Sequence, residues 1–110
     1  MSAMDAFEHQ MADGMARMMR DMHAAPTTGD RDIDFLAMMI PHHQGAIDMA
    51  RLVLVHGVDP LTRTLAEEII AAQQSEIEAM RGRLAALRDG ERQDGEAQAF
   101  PALSGTRGGS

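Results

Sequence analysis

Methionine and histidine are the side chains of this sequence best suited to chemistry. Eleven of the 110 residues are Met, and most of them crowd the N-terminal segment, where one helix could gather their sulfurs. Thioether sulfur is a soft, neutral ligand that selects Cu(I), and by the same logic Ag(I), over zinc, calcium or magnesium. At about 100° per residue, Met4, Met11, Met15, Met18 and Met22 fall on one helical stripe with Phe7 beside it. Met11/Met15, Met15/Met18, Met15/Met19 and Met18/Met22 are spaced three or four apart, as chelation from one helix face requires. Met at this spacing also reads as core filler or as a pliable partner-binding surface. The segment from Ala3 to His23 contains no Leu, Ile or Val, however, which sets it apart from an ordinary core helix.

His42-His43 is the second feature. Adjacent helical residues point about 100° apart, so these rings are poorly placed to clamp one ion together. Each has a Met one turn back, Met38 for His42 and Met39 for His43. Met49 and His56 follow at two-turn intervals, so Met38, His42, Met49 and His56 form a strip of sulfur and nitrogen donors. Neutral, hydrogen-bonded core histidines are the plainer reading. Gln73 and Glu76 are the third feature, because they project toward the apolar side of their helix. A buried carboxylate needs a partner. Glu76 either orients His42 or His43 through a ring N–H, or sits on an exposed edge near Arg83 and Met80.

Three helices must position these groups. The first reads from about Ala3 to His23, with Ser2 as N-cap, and stops before Ala25-Pro26. The second starts near Asp30–Asp34 and runs to His56, with Gly57 as its stop. Pro41 inside it predicts a kink rather than a break. Its two apolar stripes are Phe35, Met39, His42, Ala46, Met49, Val53 and Leu36, Ile40, His43, Ile47, Ala50, Leu54. So wide an apolar face implies helices on both flanks, making this the central element. The third opens with Asp59 as N-cap and Pro60 at the first helical position, and ends near Arg88–Gly90. Leu61, Leu65, Ile69, Ala72, Ile77, Met80, Leu84 and Leu87 are its predicted buried side. Residues 89–110, rich in Gly, Ser, Gln and charge, read as a flexible tail after a single domain over 1–88.

Composition excludes several classes. The net charge is −7, every basic residue is Arg, and there are three Phe with no Tyr or Trp. That balance lacks the basic patch and stacking platform of a nucleic-acid binder. Without Cys there is no disulfide, thiolate nucleophile or iron–sulfur ligand. No stretch approaches the ~18 apolar residues of a membrane span, and Met1 to Asp5 has neither the basic start nor the apolar core of a signal peptide. No Glu is followed three places on by His, as a di-iron carboxylate bundle would have it. No phosphate loop or nucleophilic triad appears.

The run Asp34-Phe35-Leu36-Ala37-Met38-Met39-Ile40-Pro41-His42-His43-Gln44-Gly45-Ala46-Ile47-Asp48-Met49-Ala50 closely resembles the signature of domain-of-unknown-function family 305. The similarity extends through His56-Gly57-Val58-Asp59-Pro60 to Ala72-Gln73-Gln74-Ser75-Glu76-Ile77 and Met80, and covers roughly Met11 to Leu87. The resemblance implies a ferritin-like helical bundle, usually in exported (periplasmic or extracellular) bacterial proteins, some of which bind copper through Met and His. Carried over, the motif residues are Met38, Met39, His42, His43 and Met49. One departure is Arg83-Leu84, where the family often has an aromatic residue before the leucine.

These readings combine into one expectation. The chain is an all-α, ferritin-like antiparallel bundle of three main helices that binds Cu(I) or Ag(I) without catalysis, for sequestration or transfer. Its donors are His42, His43, Met38, Met39, Met49 and His56, with Met11, Met15, Met18, Met19 and Met22 from the first helix. Glu76 and Gln73 support them. The alternative is a metal-free interaction module using a Met-rich face. A ferroxidase activity rests on fold analogy alone. Three helices make a thin bundle, so a homodimer suits both main readings.

Overall fold

In a computed structural model, residues 5–99 are described, with side chains to residue 90. The protein is an all-α helical bundle of three helices, α1 (Ala6–Ala24), α2 (Arg31–His56) and α3 (Pro60–Ala99). Each start is sealed by an aspartate. Asp5 caps α1, its Oδ1 accepting from Glu8 N at 2.8 Å. The cap expected at Ser2, like Met4, lies outside the described residues. Asp30 Oδ1 accepts from Asp32 N and Ile33 N at 3.0 and 3.1 Å at the head of α2. Asp34 reaches back to bond Thr28 N and Oγ1, both at 2.8 Å. That wrap is entered through Gly29, whose φ of 89° is strained for any residue with a Cβ. Asp59 Oδ2 accepts from Thr62 N and Oγ1 at 2.8 and 2.7 Å, with Pro60 in the first turn as the sequence indicates.

Helix α2 runs unbroken through Pro41, so proline is accommodated there; the expected kink remains a proposal. Helix α3 does not stop at Gly90 but continues to Ala99. Glu, Arg, Gln and Ala are good helix formers, and they outweigh the ~1 kcal/mol cost of each helical glycine. Residues 100–110 of the expected tail lie outside the described residues.

The helices form a single layer. Both α1 and α3 pack on α2, the central position its wide apolar face predicts. Among the described residues, no Cα of α1 comes within 8 Å of one of α3. The radius of gyration is 19.9 Å, against about 13 Å for a compact chain of this length.

Between α2 and α3 the packing follows a heptad rhythm. Ile33, Leu36, Ile40, His43, Ile47, Ala50 and Leu54 alternate steps of three and four, and Ala66, Ile70, Gln73, Ile77, Met80, Leu84 and Leu87 answer them. All are buried or half-buried. Ile33 and Ile47 are the most enclosed, each 1% exposed, and burying such a side chain contributes about 1.5–3 kcal/mol. At the hairpin, Arg63 Nη1 donates to Leu54 O at 2.6 Å and to Gly57 O at 3.0 Å, closing carbonyls at the end of α2.

This seam corrects the expected buried side of α3. Leu61, Leu65, Ile69 and Ala72 are exposed, and Ala66, Ile70 and Gln73 face α2 instead. Only one helix lies against α3, so only one narrow seam is covered; the leucine stripe lies beside it.

Candidate metal centre

The first-helix methionines divide by face. Met11, Met18 and Met22 are half-buried along the line where α1 meets α2, whereas Met15 and Met19 are exposed. Met18 is the best located. A Cβ built on Gly45 would overlap its thioether, with Met18 Cγ only 2.8 Å away. Glycine at 45 is therefore what admits this side chain. Gly45 lies three residues after His42 and four before Met49, so the Met18 sulfur rests on α2 within a turn of both. Met11 and Met49 line one cleft of about 300 Å³ with Gly14 and Leu52. Asp48, Arg17 and Arg51 line its polar edge.

His43 belongs to the other flank. Its Nε2–H donates to Glu76 Oε2 at 2.5 Å, which is the orientation predicted for a carboxylate on α3. Glu76 is itself exposed rather than buried. His43 Nδ1 is buried, and among the described residues no side chain or backbone group bonds to it. In the neutral tautomer that donates from Nε2 to Glu76, Nδ1 holds a lone pair. A histidine whose far N–H is anchored by a carboxylate is the usual form of a metal-ligating imidazole. Met39, one turn before His43, is half-buried on α2. Met80, one turn after Glu76, sits in the α3 seam and was not among the sequence-derived donors; its heptad position is the signal that could have found it. Gln73 occupies the same seam but is not hydrogen-bonded to either His43 or Glu76.

His42 and His43 are separated as expected. Their ring centroids are 6.1 Å apart and tilted by 59°, and His42 is exposed while His43 is half-buried. Met38, one turn before His42, is 41% exposed.

His56 is not brought to either histidine. It lies ~21 Å along α2 from His42 at the helical rise. Its Nε2 hydrogen-bonds Gln10 Oε1 at 2.8 Å, and its ring meets Phe7 edge-on at 5.5 Å between centroids. Reasoning along one helix cannot see such ties, because both partners come from α1. Among the described residues, no three His, Asp or Glu side chains converge as a metal site.

This combination of helical layer and Met-Ile-Pro-His-His motif defines a class. A family model described as "Domain of unknown function (DUF305)" matches residues 1–84 and 32–102, and the chain belongs to that family. Among curated proteins it is 43% identical over 49 residues to "Uncharacterized protein L153" of Acanthamoeba polyphaga mimivirus, a stretch covering 44% of this chain and 32% of the relative. The chain thus spans about a third of that relative's length.

Proposed function

We propose that this protein binds Cu(I), and Ag(I) by the same chemistry, through thioether and imidazole donors, as a non-catalytic sequestering or transfer protein. The carrying observation is His43, with one ring nitrogen held by Glu76 and the other buried without a hydrogen-bond partner. Leaving a buried polar atom unpaired costs about 1–3 kcal/mol, and a metal ion would use that lone pair. Met39 is the nearest thioether along α2. A second locus on the α1 flank would take Met11, Met18, Met22 and Met49, with Met38 and His42 at its edge. Met15 and Met19 would act from the exposed side of α1, and His56 would be at most a separate weak site.

The test is a Cu(I) titration against a competing chelator at about pH 8 and about pH 5, which bracket imidazole titration. Thioethers carry no proton, so part of the binding should persist at the lower pH, while the His-dependent part weakens. His43→Ala should remove the largest share of the pH-dependent part. Binding no tighter than that of a helical protein with scattered Met would overturn the proposal and favour the metal-free interaction module. That second reading is supported by the exposure of Met15, Met19 and Met38.

A further inference from the structure

The two sides of the helical layer differ in chemistry. On one, Asp13 and Arg17 of α1, Gln44 and Arg51 of α2, and Glu67 and Arg81 of α3 are exposed. This side is mostly polar and charged, with Val55 as a large apolar exception. The other side carries Met15 and Met19 from α1, then Phe35, Met39, Ala46 and Val53 from α2. Leu61, Leu65 and Ile69 complete it from α3, at 76%, 57% and 42% exposure. His42 lies in its middle. Glu76 of this side is paired with His43, and Arg83 lines a cleft with Phe35 and Leu87 toward one end.

The central stripe of this face has its own heptad spacing. Phe35, Met39, His42, Ala46, Met49 and Val53 step by four and three, the rhythm that knobs-into-holes packing demands. The neighbouring helices cover it only in part: Phe35 and His42 are exposed and Met39, Ala46, Met49 and Val53 are half-buried, since α1 and α3 flank α2 on its two edges. Stable domains bury such stripes between two layers of secondary structure, and this chain has one layer.

We infer that a second copy of this chain covers the apolar face, stacking two three-helix layers about a two-fold axis. A heterologous partner is the lesser choice, because an isologous contact covers both copies' faces at once and leaves both charged sides in water. The size is right. The layer is 29 Å wide, and over the ~28 Å length of a helix like α1 it projects on the order of 800 Å². That is of the same scale as the ~800 Å² per partner of a standard stable interface. The inference rests on the layer's geometry and not on copper. If the copper reading holds as well, His42, Met15 and Met19 of both copies would lie at the interface.

The experiment is light scattering on the metal-free full chain at about 100 µM, a concentration that fills a dimer with micromolar Kd. The expected mass is twice 11.9 kDa. Leu65→Glu/Ile69→Glu places charges on exposed positions of the apolar face and should halve the mass while helical circular dichroism is kept. Phe35→Glu should do the same from α2. Val55→Glu, on the charged side, should leave the dimer intact. A wild-type monomer, any other stoichiometry, a dimer that survives both apolar-face variants, or one broken only by Val55→Glu would overturn the inference. Dimerisation only on adding Cu(I) would overturn it too, while leaving the copper proposal standing.

Discussion

Met18 of α1 rests directly on Gly45 of α2, in a notch that a single methyl group would fill. Helix α1 is thereby held close to the stretch of α2 that carries His42 and Met49, and the α1-flank donors depend on that close approach.

Gly45→Ala should therefore act twice. The added Cβ meets the Met18 side chain, and overpacking of this kind costs about 1–3 kcal/mol. Urea denaturation should show the loss, and Met18→Ala in the same chain should restore part of it by making room. If Gly45→Ala alone is neutral, α1 docks more loosely than this contact implies.

At the other flank, stability and ligand capacity should move in opposite directions. His43 occupies a heptad position in the α2–α3 seam with a buried, unpaired ring nitrogen. His43→Leu should raise metal-free stability by about 1 kcal/mol, read as a higher urea midpoint, while removing a copper donor. Glu76→Ala should lower Cu(I) affinity by about 10–100-fold, the usual loss when the group orienting a ligating histidine is removed. Helicity should be unchanged, because Glu76 is 56% exposed. Equal affinity in Glu76→Ala would separate the His43–Glu76 pair from metal binding.

Acid should loosen the helix starts. The carboxyl of Asp34 is held below its usual value of 3.8 by the backbone and hydroxyl bonds of Thr28. Asp59 is likewise lowered, first by the Thr62 hydroxyl and then by the Thr62 N–H. A carboxylate whose folded pKa is depressed contributes stability that is fully present above its unfolded value. That contribution is lost as pH falls through the folded one. The urea midpoint should thus be level near neutrality and fall as the pH drops below about 3.8. Thr62→Val should move the Asp59 titration, followed by carbon NMR of its carboxyl, back up toward 3.8. A titration that does not move would remove the hydroxyl as the cause.

Much of the scaffold is legible in the sequence because its signals are local. Asp59-Pro60 and Asp30 mark helix starts by chemistry that needs no tertiary partner. The two stripes of α2 state in advance that it is central. The face of α3 is less legible, since Leu61, Leu65 and Ile69 are as apolar as Ala66, Ile70 and Ile77, and only the partner seam decides between them. The same holds for α1, where Met15 and Met18 sit three apart yet face outward and inward. Of the site, the pairing of Glu76 with a histidine was readable from an unexpectedly placed carboxylate. The choice of His43 over His42, and the tie of His56 to Gln10, depend on which helix lies on which flank, and periodicity along one chain segment carries no such information.

Because α1 and α3 meet α2 on opposite edges and, among the described residues, no Cα of one lies within 8 Å of a Cα of the other, their contacts with α2 form two separate joints. The molecule is a chain of two joints that share one bone. A change at the Met18–Gly45 joint reaches the His43–Glu76 joint across less than one turn of α2. Perturbations at the two are therefore expected to couple, because simple addition holds for distant sites without common partners. Whatever occupies one flank is felt at the other through that shared turn, and a second layer laid across the apolar face would tie the two more firmly.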